Sequence, residues 1–464
     1  MFENSNRYAW ERFYFYTDRV YEFTEIQDFV DYQILGLLIN ASKAKKRCIF
    51  PNLQFLNNLH IYEFSPPILF ERLIAPSLRF LQVIVQGPPM NDSNHWKPDD
   101  ILCKVFDILT IPSHDGSDAN QSAQLQHLEL SATPLPSSCL DQLASLRQLR
   151  ILHLKKGVTP EYIEGVDYLR RLSTLPYLHD LCLAVEEDEY FHRVPQDGFP
   201  SLERLVLQGK PSSLQSLLRA LPSNRLKVIG IYDVVNSWAP LIPGAEELRI
   251  CLQEWCACFG ELAQQAGTLT ALYIRVHSDA AKPDDAKACA ADLPMMSILK
   301  PLLELRKLQV VELAGFMQLP YSDVDVRDIA VAWPEIQHMA FPPPFAEVMQ
   351  PSLMSLRLLS RFCPNLHSLS IWLDLNAETD VEPNSELLQQ LNTLPVVTNH
   401  ALMVLNVNES YLRKEDVTTL ANQLGDWFPL LRNVVASQSE VAAEISMALQ
   451  ENTGTSHFRN CGRG

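Results

Sequence analysis

Leu178-His179-Asp180-Leu181-Cys182-Leu183 and, 24 residues later, Leu202-Glu203-Arg204-Leu205-Val206-Leu207 share one pattern, apolar-x-x-apolar-x-apolar. The last three positions alternate in, out, in, which is the period of a short strand with one buried face. A third copy follows at the same interval, Leu226-x-x-Ile229-x-Ile231. Between the second and third copies, Leu214, Leu217, Leu218 and Leu221 fall on one helical face behind Ser213, a residue suited to capping a helix. The unit therefore reads as strand, turn, helix. One such unit cannot bury its own apolar face, and stacking several closes a continuous core.

Working outward, clear copies begin at Leu56, Leu78, Leu125 and Leu149 on one side and at Leu269, Leu308, Leu366 and Leu402 on the other, with weaker ones at Ala245, Ile336 and Leu431. Ten of the thirteen intervals between first positions lie between 19 and 30 residues, against the roughly 20–29 of a leucine-rich repeat. Helical segments recur between copies: Thr159-Pro160-Glu161 opens one leading into Ile163, Val166 and Leu169, and Val417, Leu420, Leu424 and Trp427 form another. The expected fold is α/β, a leucine-rich-repeat solenoid with a concave parallel sheet, convex helices and at least ten short strands beginning near Leu59. The regular repeat carries Asn or Cys three residues after the last strand leucine, whereas Phe64, Thr133, Gly157, Glu186 and Lys210 stand there. The turns, and with them the curvature of the horseshoe, are expected to be irregular.

Composition bounds the rest. Seventy of 464 residues are leucine, 47% are apolar and the net charge is −17, a core-forming composition and not that of a disordered chain. The acidic balance argues against nucleic acid or an anionic membrane as the partner. Ten cysteines are too few for a disulfide scaffold. No charged segment followed by an apolar one opens the sequence, and no run of about 18 apolar residues occurs. These features predict a monomer of the cytoplasm or nucleus with free thiols.

Three regions are expected. Residues 1–48 read as an N-terminal helical cap: the first 34 residues hold no leucine but 11 of the 41 aromatics. Trp10, Phe13, Thr17 and Val20 share a helical face there, and a second helix is expected over 25–40. Residues 49–451 form the repeats, with insertions near 88–121 (including a short helix over 99–109), 278–294 and 374–400. Residues 452–464 read as a disordered tail.

Catalytic signatures are missing. Gly209-Lys210-Pro211-Ser212 lacks the upstream glycine of a phosphate loop and has proline where Ser or Thr is needed. No G-x-S-x-G or H-E-x-x-H occurs, and His114 and His192 read as single polar side chains in loops. No catalytic residue, cofactor or metal is assigned. Cys251, Cys256 and Cys258 lack the paired spacing and fourth ligand of a zinc site and read as packed helix-face thiols. Lys43-Ala44-Lys45-Lys46-Arg47 reads as a solvated loop. The non-leucine strand positions face the concave surface: His60, Tyr62, His127, Glu129, His153, Lys155 and Asn406, together with Arg204, Tyr232, Arg249, Tyr273, Arg275, Glu312 and Trp372. Tyr, Trp and Arg are the types that anchor interfaces. The last seven are therefore the candidate protein-binding residues, centred on Arg249, Tyr273 and Arg275.

Trp10-x-x-Phe13-x-x-Tyr16-x-x-x-Val20, with Arg19 before the valine, precedes the first repeat; Phe50-Pro51-Asn52-Leu53 leads into it, and Cys363-Pro364-Asn365-Leu366 echoes that lead-in. In these features the chain resembles the F-box/leucine-rich-repeat proteins numerous in mushroom-forming fungi. The resemblance implies a receptor that passes targets to a ubiquitin ligase through the Skp1 adaptor. The family's F-box opens with L-P-x-E-[IL] and should precede Trp10, but residues 1–9 contain nothing like it. The expectation is therefore a protein or peptide ligand on the concave face and no Skp1 binding by this chain. The alternative is a repeat scaffold with no ubiquitin-ligase role.

Overall fold

The structure, a computed structural model, describes residues 7–24, 32–45, 48–61, 70, 72–85, 98–110, 124–131, 137–155, 168–185, 194–221, 225–233, 245–265, 267–276, 294–314, 319–342, 350–375, 400–407, 417–436 and 442–449. The chain forms two compact units, Met1–Pro222 and Ser223–Gly464.

The first unit contains strands β1 (Glu22–Thr24), β2 (Phe55–Ile61), β3 (Phe80–Val85), β4 (His127–Ser131), β5 (Ile151–Leu154), β6 (Asp180–Val185) and β7 (Arg204–Gly209). Each pairs in parallel with the next. The second unit contains β8 (Val228–Asp233), β9 (Ala271–Val276), β10 (Val310–Ala314), β11 (His338–Ala340), β12 (Ser368–Ser370), β13 (Val404–Asn406) and β14 (Asn433–Val435), again parallel and in chain order. Helices alternate with the strands, as in Ser137–Ser145, Pro211–Ala220, Ala245–Gln265, Asp323–Ala332, Leu353–Phe362 and Val417–Trp427. This is the leucine-rich-repeat architecture that the spacing predicts.

At the start of β2 to β7 and of β9 to β14, two successive amides donate to one carbonyl at the start of the strand before. Arg150 and Ile151 share the Gln126 carbonyl, His179 and Asp180 that of Arg150, and Glu203 and Arg204 that of His179. The motif leucines then turn inward: Leu128, Leu130, Leu152, Leu181, Leu205 and Leu207 are all 2% exposed or less. Helices stop at a buried residue followed by proline, at Trp333-Pro334, Cys363-Pro364 and Phe428-Pro429. Proline disfavours helical backbone in the residue before it and so ends the helix there. Trp333 is fully buried and its indole N–H donates to the Leu302 carbonyl at 3.2 Å.

Several expectations change. The sheet starts earlier than Leu59: β2 begins at Phe55, and β1 pairs with it, with Phe23 beside Leu56. A bulge lies between Leu56 and Leu59, where Asn58 takes a left-handed angle (φ 53°), a conformation asparagine tolerates. His60 keeps the open face expected of it, in register with Ile84, but is buried there. The weak copy at Ala245 is no strand; the segment belongs to the 21-residue helix Ala245–Gln265, so Arg249 sits exposed on a helix. The weak copies at Ile336 and Leu431 do lead into strands, β11 and β14. The helix Pro211–Ala220 starts at its proline, with Lys210 at the cap, and Ser213 is buried within it. The second N-terminal helix runs Tyr32–Lys45 and takes in the start of the basic run. The insertion helix is Pro98–Thr110. Tyr62, His114, His192, the Thr159 helix start, residues 278–293 and 376–399 and the tail lie outside the described residues. Among the described residues no helix is long and apolar enough to cross a membrane.

Candidate functional site

On a parallel ladder, residues in register line up across the strands, and every second row faces away from the core. In the second unit one such row runs Gly230, Tyr273, Glu312, Ala340, Ser370 and Asn406. The next runs Tyr232, Arg275 and Ala314. Arg275 reaches diagonally to Glu312, and its Nε and Nη2 donate to Oε1 at 3.1 and 2.8 Å. Its guanidinium also lies over the Tyr232 ring, 5.9 Å from the centroid. The structure thus brings Tyr232, Arg275 and Glu312 into one linked group with Tyr273 beside it.

Three of the predicted residues are not gathered there: Arg249, Trp372 and Arg204, the last on β7 of the first unit. Arg249 is on the helix Ala245–Gln265, off the ladder. Trp372 follows β12 on the open-face parity, three strands or about 14 Å along the sheet from β9. Its amide is held by the Tyr321 hydroxyl at 3.3 Å, and Tyr321 stacks on Phe341. Burial pushes the Tyr321 phenol above its ordinary range.

The first unit carries a denser polar group. One row runs Phe80, His127, Ile151, Asp180 and Arg204; the next runs Gln82, Glu129, His153, Cys182 and Val206. His127 Nε2 stands 3.2 Å and His153 Nδ1 3.4 Å from the same oxygen, Glu129 Oε1. Lys155 Nζ donates to the other, Oε2, at 2.6 Å, and Gln82 Nε2 also donates there, at 3.1 Å. The far nitrogen of His153 faces Asp180 Oδ1 at 3.4 Å, while Arg204 Nη1 lies 3.6 Å from Asp180 Oδ2. Arg204, the one predicted site residue in this unit, is therefore the outer end of a chain Arg204–Asp180–His153–Glu129–Lys155.

Burial lowers the His127 pKa below its ordinary value, with Glu129 opposing in part. Burial pulls the Glu129 carboxyl up, but the Lys155 hydrogen bond and charge and the two imidazoles outweigh it, leaving it below the usual range. Burial, then the neighbouring Asp180 charge, push the Cys182 thiol up to about 11. All six residues of β6 are buried, and so is Val206, against the simple alternation.

Sequence reading placed His127, Glu129, His153 and Lys155 on this face but did not join them, and it passed over Asp180 and Gln82. Aligning the copies supplies the signal. His127, Asp180 and Arg204 occupy the third motif position, and Glu129 and His153 the fifth. Of the cysteine group, Cys258 is fully buried in the helix and its thiol is pushed up to about 12 by that burial, whereas Cys256 is only part-buried.

No protein-family model matches the chain, and no curated protein does. Solved structures that it resembles include an internalin from Listeria monocytogenes (15% identity over 79% of this chain and 77% of that one, TM-score 0.34). It also resembles the leucine-rich repeat-containing protein LegL7 from Legionella pneumophila (14%, 86% and 97%, TM-score 0.38) and a structure of the Rad7 and Elc1 complex in yeast (14%, 93% and 90%, TM-score 0.36). At these identities and scores the likeness adds nothing about function to the repeat architecture already described.

Proposed function

We propose that the chain is a non-enzymatic protein-binding leucine-rich-repeat protein, holding a protein or peptide against the open, concave side of its sheet. By origin it is the target-binding part of an F-box-type ubiquitin ligase receptor. The observation that carries the reading is the linked group Tyr232, Arg275 and Glu312 with Tyr273 beside it. Tyr232, Tyr273 and Arg275 are of the types that anchor interfaces, and the group is set on consecutive rigid strands. Arg275 is half-exposed, so a partner's carboxylate can replace or share Glu312 without a buried charge being left alone.

A photo-crosslinking residue in place of Tyr273 tests this, with Met447, exposed on the helical segment 442–449, as the control position. A protein captured from position 273 and not from 447, and lost on Arg275→Glu, supports the reading; equal capture from both positions defeats it. The ubiquitin connection is tested separately by co-purifying residues 1–464 with Skp1. The sequence carries no L-P-x-E-[IL] segment, so no stable complex is expected. Stoichiometric binding would make the chain an adaptor-binding receptor in its own right.

A further inference from the structure

We propose that His127, Glu129 and His153 form a binding site for one divalent cation of the zinc class, on the open face of the first unit between β4 and β5. The inference goes beyond the protein-binding reading and does not depend on it.

The geometry is the argument. His127 and Glu129 stand two residues apart on β4, and His153 is in register with Glu129 on β5, so the three side chains rise from one patch of rigid sheet. Their ligand atoms, His127 Nε2, Glu129 Oε1 and His153 Nδ1, all lie within 4.8 Å of one another. A tetrahedral ion with bonds of about 2.05 Å needs ligand atoms about 3.3 Å apart. The two histidine-to-carboxylate separations are 3.2 and 3.4 Å.

The surroundings fit the same purpose. A histidine that binds a metal usually gives its other ring nitrogen to a carboxylate, which fixes tautomer and orientation. His153 does this with Asp180 at 3.4 Å, and Asp180 is itself buried and steadied by Arg204. His127 is held edge-on against the Phe80 ring, 4.5 Å between centroids. Lys155 and Gln82 take Glu129 Oε2 and leave Oε1 to the ion, so the carboxylate binds through one oxygen. Two imidazoles and a single carboxylate oxygen select against Mg²⁺ and Ca²⁺, which need six or more oxygen ligands, and suit Zn²⁺. The side chains are only part-buried, so the fourth position is open to water or to a side chain of a bound protein.

The experiment uses the full chain, stripped with a chelator, and titrated with Zn²⁺ by calorimetry and with Co²⁺ by absorption. One equivalent is expected to bind, with the visible bands of tetrahedral Co²⁺ and without a thiolate charge-transfer band. That band would place the ion on cysteines, such as Cys103 and Cys139 with thiols 3.0 Å apart, and would overturn the proposal. His127→Gln and His153→Gln should abolish the stoichiometric binding, and Asp180→Asn should weaken it by about 10–100-fold. Unchanged binding in either histidine variant, or no binding by the folded native chain, would overturn it too. A second measurement needs no variant. Zn²⁺ should protect His127 and His153 of the native protein from diethyl pyrocarbonate, read by peptide mass spectrometry, and equal modification with and without Zn²⁺ would refute the site.

Discussion

Asp323 ties the start of one helix to the start of the next through Ser352: its Oδ1 accepts the Ser352 amide at 2.9 Å and its Oδ2 the Ser352 hydroxyl at 2.8 Å. The Ser355 hydroxyl donates to the same carboxylate. Ser352 in turn caps its own helix by accepting the Met354 amide. Within the first helix, Ser322 and Asp325 form a reciprocal capping box. One carboxylate thus sets the offset between consecutive repeats where the helices begin.

Asp323→Ala should leave the buried Ser352 and Ser355 without their acceptor, costing about 2–4 kcal/mol. Ser322→Ala, which loses only a cap, should cost about 1 kcal/mol. Urea melts of both variants give the comparison. Equal losses would mean that the link between the two helices contributes nothing beyond capping.

Leu205 and Val206 are neighbours on β7, and alternation alone assigns them opposite environments. Both are buried, Leu205 completely and Val206 to 9% exposure. Leu205→Ala should therefore cost about 2–5 kcal/mol, the range for a core leucine. Val206→Ala should also be felt, at about 1–2 kcal/mol for two lost methyl groups. A Val206→Ala variant as stable as the native chain, in denaturant melts, would show that this part of the open face is wet.

Strand positions and the inward leucines were readable because each copy repeats one local rule, as in Leu128, Leu152 and Leu181. What escaped depended on partners far away in sequence. His60 stays on the open-face row beside Ile84 and yet is buried, which no spacing reports. Arg249 lies in a segment whose leucine-like spacing also suits a helix, and only length decides between them. The polar chain from Arg204 to Lys155 is assembled by register across four strands, β4 to β7. Its members look unremarkable one by one. Tyr232 and Arg275 come together by the same register, and they were found because their residue types alone drew notice.

His400 is fully buried, with the edge of the Phe428 ring against it. Its Nδ1 accepts the Leu402 amide at 3.1 Å, so the ring is neutral in the fold. Burial lowers its pKa from 6.5 to about 4, although the Leu359 and Cys363 carbonyls favour the proton. The depressed value fixes the sign. Above about pH 6.5 the ring is neutral in both states and contributes no pH dependence. As pH falls from there towards 4 the unfolded chain takes up the proton first, and stability drops by about 3 kcal/mol in all. His400→Asn keeps an acceptor for Leu402 and removes the titration. Its stability between pH 4 and 6.5 should be flatter than that of the native chain, and identical slopes in urea melts at stepped pH would contradict the assignment.

Gly209 ends β7 one residue before Lys210 caps the helix Pro211–Ala220. The chain must leave the sheet and enter a helix within those two residues, and it does so with Gly209 at φ 150°, a conformation L side chains rarely adopt. Gly209 is in register with Val185 on β6, and a Cβ on it would meet the Val185 carbonyl oxygen, an atom of a paired strand that cannot step aside. Gly209→Ala therefore carries two penalties, the backbone angle and the collision, and should cost about 2–4 kcal/mol in all. Gly260 lies in the interior of the helix Ala245–Gln265 with nothing within 4 Å of the added carbon. There the same substitution should stabilise by up to about 1 kcal/mol, because alanine is the better helix former. Thermal and urea melts of the two variants read out the contrast. If Gly209→Ala proves as harmless as Gly260→Ala, the tight approach of β7 to Val185 is not what directs the chain from this strand into its helix.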